Sequence, residues 1–93
     1  MKTLVKGEKR LIGVRVERQS GTFEIDKAEY EVLQEDRETK VDTGICNIEG
    51  YKVFMELDTA TLQTGTTYYV YFWITIKGMT KKLNGTVRVQ VIP

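Results

Sequence analysis

Residues 62–76 read L-Q-T-G-T-T-Y-Y-V-Y-F-W-I-T-I and form the longest apolar and aromatic run of the chain. The second half of this run consists of β-branched and aromatic residues, which fit a pleated, partly buried surface and favour strands. No helix former follows Gln63 in the run. The composition therefore predicts one long β-strand that the other elements pack against.

Side chains of a strand point alternately to its two faces. One predicted face carries Tyr68, Val70, Phe72, Ile74 and Ile76, and the other carries Tyr69, Tyr71, Trp73, Thr75 and Lys77. Both sets are apolar enough to be buried, so alternation alone does not show which face meets the core.

The residues before the strand decide between the two faces. The spacing of Leu62, Gly65 and Tyr68 resembles the tyrosine corner of fibronectin type III and immunoglobulin-like sandwiches. The resemblance implies that the Tyr68 hydroxyl bonds to a backbone group a few residues upstream, that Leu62 fills the corner and that Gly65 permits the turn. Tyr68 is then expected to face the core, and Trp73 to face outward.

The length and composition of the chain are those of one small domain, residues 1–93. Lys and Arg number 14 and Asp and Glu 13, and this balance argues against a nucleic-acid partner. The longest apolar run, residues 68–74, is too short for a membrane-spanning helix, and the amino-terminal residues lack a signal-peptide pattern. We expect no membrane partner and no signal peptide. The lone Cys46 excludes an internal disulfide.

The rest of the chain reads as short strands separated by turn signals. The predicted strands are residues 1–6, 11–19, 22–25, 28–36, 41–49 with a bulge at Gly44, 51–57 and 83–93. Residues 28–36 have helical propensity, but their apolar residues recur with a period of two, which favours a strand. Asp58 or Thr59 is suited to cap a helical turn. The pattern predicts an all-β, antiparallel, immunoglobulin-like sandwich of seven to nine strands.

Four patterns spread over residues 12–92 support a wider resemblance. They are F-x-I-x-x-A-x-Y-x-V at 23–32, G-x-x-x-I-E-G at 44–50, L-D-T-x-x-L-x-x-G-x-T-Y-Y-V at 57–70 and G-x-V-x-V-x-V at 85–91. Together they resemble small immunoglobulin-like domains encoded among the structural genes of tailed phages and prophages. The resemblance implies a virion or virion-assembly component in the bacterial cytoplasm or the particle. It assigns no functional residue.

Catalytic residue types are scarce in this chain. There is no His, and the only Ser, Ser20, has no base beside it. Cys46 is expected to act as a small core residue. The acidic hairpin at residues 35–42 and the lysines at 77, 81 and 82 are expected to be solvated. We therefore predict a non-enzymatic protein with no cofactor and no metal.

The outward row Tyr69, Tyr71 and Trp73, with Phe54 as a companion, is the candidate site. Three interpretations are open. The row lies beneath long side chains or the amino-terminal segment, or it is a protein interface, or it is a platform for stacking sugars. Contact with a protein partner or with further copies of the chain is the leading hypothesis. A carbohydrate- or cell-surface-binding module is the alternative.

Overall fold

The computed structural model describes residues 1–17, 22–80 and 82–93. These residues contain eight strands and one short 3-10 helix, Thr59–Thr61. The strands are β1 Lys2–Val5, β2 Lys9–Arg15, β3 Ile25–Leu33, β4 Lys40–Ile45, β5 Asn47–Glu49, β6 Lys52–Asp58, β7 Thr67–Ile76 and β8 Leu83–Ile92. No α-helix occurs among the described residues. The all-β prediction is confirmed.

The strands form two sheets that pack face to face. One sheet has the order β1-β8-β7-β3-β4, and the other has the order β2-β6-β5. All neighbouring strands are antiparallel except β1, which runs parallel to β8. The expectation of a wholly antiparallel fold is therefore wrong at this edge.

The core lies between the inner faces of the two sheets. Strand β7 shows the alternation most clearly, because every second residue is buried and the residues between them are partly buried. Phe72 is fully buried, whereas Trp73 lies on the opposite face. The core cluster consists of Leu4, Ile12, Val16, Ile25, Ala28, Val32, Cys46, Val53, Met55, Leu57, Leu62, Tyr68, Val70, Phe72, Ile74, Ile76, Val89 and Val91.

The segment before β7 forms a hydrogen-bonded corner. The backbone N–H of Gln63 donates to the Tyr68 hydroxyl oxygen at 2.9 Å, and the Leu62 side chain is buried beside it. Gly65 has a φ of 78°, a conformation that glycine adopts without steric cost. Its N–H donates to the Val91 carbonyl at 2.9 Å, so the corner is also attached to β8.

The 3-10 helix lies in the connection from β6 of the three-stranded sheet to β7 of the five-stranded sheet. Asp58 caps it by accepting a hydrogen bond from the Ala60 N–H at 3.0 Å. The hydroxyl of Thr59 is fully buried and lies 2.7 Å from the Glu8 carbonyl and 3.1 Å from the Val5 carbonyl. This buried contact holds the turn between β1 and β2 against the helix.

The predicted single strand at residues 41–49 is wrong. The chain changes sheets there, because β4 belongs to the five-stranded sheet and β5 to the three-stranded sheet. Cys46 lies between them, with its N–H bonded to the Ala28 carbonyl at 2.9 Å. The irregularity in this hairpin falls between Val32 and Leu33 rather than at Gly44.

Three further boundaries differ from expectation. Strand β3 begins at Ile25 and includes residues 26 and 27, which were expected to form a turn. Phe23 is not in a strand and stacks on Tyr51, with ring centroids 4.5 Å apart. Tyr51, the first residue of the predicted strand 51–57, precedes β6 and is 40% exposed. Strand β2 ends at Arg15, and residues 18–21 of the predicted strand and turn lie outside the described residues.

We expect Tyr68→Phe to lower the free energy of unfolding by about 1 kcal/mol, because the Gln63 N–H loses its acceptor. Denaturant titration measures the change. Tyr51→Phe is the matched control, since it also removes a tyrosine hydroxyl but leaves the stacking of the ring on Phe23 in place. An unchanged midpoint for Tyr68→Phe would mean that the corner hydrogen bond does not stabilise the fold.

We expect Gly44→Ala to destabilise the protein by about 1 kcal/mol. An added Cβ would come within 2.7 Å of the Tyr30 ring and displace it from its hydrogen bond to Asp42. Gly85→Ala is the control, because its added Cβ would meet Val14 at an ordinary 3.4 Å. Equal thermal stability of both variants would contradict this packing argument.

Candidate functional site

The aromatic row, defined as Tyr69, Tyr71 and Trp73, lies on the outer face of β7. All three side chains are partly buried and point away from the core. Because β7 is the central strand of the five-stranded sheet, the row runs along the middle of that face. Neighbouring strands therefore flank it on both sides.

The strand register decides which side chains flank the row. On β3, Glu29 lies opposite Trp73, Glu31 opposite Tyr71 and Leu33 opposite Tyr69. On β8, the residues opposite Trp73, Tyr71 and Tyr69 are Asn84, Thr86 and Arg88. The face is thus aromatic along its middle, acidic on the β3 side and polar or basic on the β8 side.

The tip of the β3–β4 hairpin folds back over one end of the row. The Arg37 guanidinium lies 4.3 Å from the centroid of the Tyr69 ring, a cation–π geometry. Arg37 has a φ of 61°, which is uncommon for a residue with a side chain. Interaction with the Arg37 guanidinium lowers the pKa of Tyr69, and Arg88 adds a smaller effect in the same direction.

A single carboxylate organises that hairpin tip. Asp36 accepts hydrogen bonds from the backbone N–H groups of Glu38 and Thr39, both at 2.9 Å, and from the Thr39 hydroxyl at 2.6 Å. The Thr39 hydroxyl contributes most to lowering the pKa of Asp36. The tip that carries Arg37 is therefore a defined turn.

The other end of the row has unpaired polar atoms. The indole N–H of Trp73 and the hydroxyl of Thr75 are buried and have no hydrogen-bond partner among the described residues. A polar group that has left water without a new partner destabilises the structure. Beside them, the Lys82 ammonium lies 3.5 Å from the Glu29 carboxylate.

A cavity of about 540 Å³ opens beside Trp73, over strands β3 and β4. Its lining combines the indole with carboxylates, lysines and an exposed aliphatic side chain. These residues are Glu29, Tyr30, Glu31, Lys40, Thr43, Gly44, Ile45, Trp73 and Lys82. The Lys40 ammonium lies 3.3 Å from the Glu31 carboxylate, so both charges at this rim already have partners.

Phe54 does not join the aromatic row. It lies on β6 in the three-stranded sheet, where Val53 and Met55 are buried and Phe54 points outward. The outer faces of the two sheets point in opposite directions, so Phe54 and Trp73 are on opposite sides of the sandwich. Alternation correctly placed both rings outward, but it did not show that their strands belong to different sheets.

The interpretation of the row as covered by long side chains is partly supported. Arg37 covers Tyr69. The amino-terminal strand β1 does not reach the row, because β8 separates it from β7. Arg37 and Arg88 were not predicted as parts of the site. Their positions depend on the geometry of the β3–β4 hairpin and on the register between strands. The residue pattern of a single strand does not predict either of these.

Cys46 is a buried thiol with 7% of its surface exposed. Burial, with a smaller effect from Glu29, raises the pKa of the thiol to about 11. A nucleophilic cysteine requires the opposite shift, toward a thiolate at neutral pH. Its position between the sheets suits a core residue.

The charged groups outside the row take part in local contacts. Asp42 accepts hydrogen bonds from the Tyr30 hydroxyl at 3.2 Å and from the Thr43 N–H at 2.9 Å. Lys77 lies 3.6 Å from Glu24, and Lys81 of the predicted basic loop is outside the described residues. Within the described ranges, no cluster of metal-ligating side chains occurs, and no helix has the length and apolarity needed to cross a membrane.

No protein-family model matches this chain, and comparison with curated proteins and with solved structures also gave no match.

We expect native Cys46 to react with a thiol reagent about a hundredfold more slowly than the urea-unfolded thiol near pH 8, because its pKa is raised from 9.0 to about 11. The same shift lowers the free energy of unfolding as pH rises from 9.0 toward about 11, since the unfolded thiol ionises first. Cys46→Ala should lack this contribution. Equal native and unfolded reaction rates would contradict the burial of the thiol.

Proposed function

We propose that this chain is a non-enzymatic, immunoglobulin-like binding module that acts through protein–protein contact at the aromatic row. The observation that carries the proposal is the outer face of the five-stranded sheet, where three large aromatic side chains lie side by side. Soluble monomers seldom expose large contiguous apolar patches, and tyrosine and tryptophan are favoured at the centres of interfaces.

The strand order supports the immunoglobulin-like part of the proposal. In that fold, strands A, B, E and D form one sheet and strands C, F and G form the other, although here β1, in the position of A, pairs with β8 of the second sheet. Assigning β2, β6 and β5 to the first set and β3, β7 and β8 to the second agrees with the observed orders. The tyrosine corner then falls at the start of the strand equivalent to F. The disulfide of antibody domains has no counterpart, because the chain has one cysteine.

The composition of the face supports a contact between proteins. Aromatic rings supply apolar area with little conformational entropy, while Glu29, Glu31 and Arg88 form a charged surround. The buried N–H of Trp73 supports the same interpretation. This donor has no acceptor among the described residues, so a partner that supplied one would remove the cost of leaving it unpaired.

The biological setting that we propose is the particle of a tailed phage or prophage, as a structural or assembly component present in repeated copies. The support for this setting is the resemblance of the four sequence patterns at residues 23–32, 44–50, 57–70 and 85–91. Repeated copies would present many aromatic rows in one assembly, which strengthens contacts that are individually weak.

A carbohydrate-binding module is the second candidate. The cavity beside Trp73 supports it, because an indole next to the carboxylates of Glu29 and Glu31 offers both a stacking surface and hydrogen-bond acceptors for sugar hydroxyls. Trp73 is the only tryptophan in the chain, so its fluorescence reports directly on this cavity. A shift of the Trp73 fluorescence on adding polysaccharide would favour this candidate. An unchanged fluorescence spectrum across a broad panel of glycans would rule it out.

We expect the wild-type protein to self-associate at high concentration and Trp73→Ala to weaken that association, because the variant removes the largest ring of the row. Size-exclusion chromatography with light scattering measures both. Phe54→Ala is the matched control, since it deletes an outward ring from the opposite sheet. Thermal denaturation checks that both variants fold. A wild-type monomer at every concentration, or equal loss in both variants, would contradict assembly through the row.

A further inference from the structure

Strand β2 is an open edge of the three-stranded sheet. It pairs with β6 on one side, and no strand of residues 1–17, 22–80 and 82–93 pairs with it on the other. An open edge presents a row of backbone donors and acceptors to which another strand can add. At seven residues, β2 is long enough to pair with an added strand of ordinary length.

The register of β2 shows which backbone groups face that edge. The Val16 N–H donates to the Tyr51 carbonyl at 2.8 Å, and antiparallel partners alternate between bonded and non-bonded pairs. In the register of β2 with β6, the even-numbered residues of β2 therefore bond to β6. The N–H and C=O groups of Leu11, Gly13 and Arg15 point the other way, toward the open edge.

An apolar groove lies beside this edge, between β2 and β8. A cavity of about 250 Å³ is lined by Val14, Val16, Ile74, Leu83 and Gly85 together with the polar residues Arg15, Glu17 and Asn84. A second cavity of about 230 Å³ shares Val16, Glu17 and Leu83 with it. Alternate side chains of a strand added beside β2 would point into this groove, because they would lie in line with Val14 and Val16.

The charged side chains of β2 indicate which kind of strand would bind at this edge. The strand contains Lys9, Arg10 and Arg15 and no acidic residue. Arg10 is paired with Glu8 at 3.0 Å. Arg15 has a longer contact of 3.9 Å with Glu17, and because these side chains are 74% and 82% exposed, this contact neutralises little of the Arg15 charge. Two copies of β2 side by side would bring like charges together, which disfavours self-pairing. An acidic strand would find opposite charges instead.

We infer that the open edge of β2 is a second docking site, which takes an extended acidic segment of a partner protein as an added strand. Two apolar side chains at alternate positions of that segment fill the groove beside Val14 and Val16. The acidic side chain between them meets Arg15, and a further acidic side chain toward the other end of β2 meets Lys9. The site is separate from the aromatic row, since β2 and β7 belong to different sheets.

Amide hydrogen exchange followed by NMR tests this inference on the whole protein. The probe is a seven-residue peptide that alternates glutamate with valine and is blocked at both ends. In the free protein, the amides of Leu11, Gly13 and Arg15 should exchange fast, and those of Ile12 and Val14 slowly. With the probe bound, exchange at the first three amides should slow by about tenfold or more, because they gain acceptors.

Two control peptides separate strand addition from other binding. A peptide with lysine in place of glutamate should bind more weakly, because it meets Lys9 and Arg15 as like charges. A glutamate–valine peptide N-methylated on every second amide should bind when one set of amides is methylated and fail when the other set is, because only one set faces β2.

Several outcomes would overturn the inference. They are protection of Leu11 and Gly13 in the free protein, equal binding of the acidic and basic peptides, binding without slower exchange at these amides, and no binding at millimolar peptide. The last outcome would mean that the basic residues only guard the edge against pairing. Protection that rises with protein concentration alone would indicate a second copy as the occupant.

Discussion

The hydrogen bond between the Gln63 backbone and the Tyr68 phenol determines the orientation of the whole central strand. Because strand residues alternate between faces, a phenol directed into the corner places every second residue of β7 in the core. The same constraint places Tyr69, Tyr71 and Trp73 on the outer face. The corner is also attached to β8 through Gly65, so the two longest strands share one register. Core and candidate site thus depend on the same orientation of β7, which the corner hydrogen bond and the burial of every second residue both favour.

The two sheets present surfaces of different chemistry. The five-stranded sheet carries aromatic rings beside acidic residues of β3, with Arg37 covering Tyr69 at the hairpin tip. The three-stranded sheet offers an unpaired, basic edge at β2 next to an apolar groove. The first surface suits side-chain packing, and the second suits backbone pairing. Because the two surfaces lie on different sheets, the two proposed contacts do not compete for the same residues.

The edges of the five-stranded sheet are protected differently from β2. On β4, the Asp42 carboxylate accepts the Thr43 N–H, and the Tyr30 ring lies against Gly44. An acidic side chain therefore occupies a donor that an added strand would need, which is a common protection of edge strands. Strand β1, at the other edge, is only four residues long and offers little backbone for pairing. Of the described long edges, β2 is the one whose side chains leave the backbone accessible.

The sequence by itself determined the all-β class, the inward face of β7, the corner residues and the choice of strand over helix for residues 28–33, although residues 34–36 of that predicted strand lie beyond the end of β3. These follow from local causes, namely side-chain alternation, turn residues and the spacing of Leu62, Gly65 and Tyr68. Only the tertiary structure decided that the chain changes sheets at Cys46, that Phe54 lies opposite the aromatic row, and that Glu29, Glu31 and Arg88 flank it. The physical reason is that alternation specifies a face of one strand, whereas sheet membership and register depend on which distant strands pair.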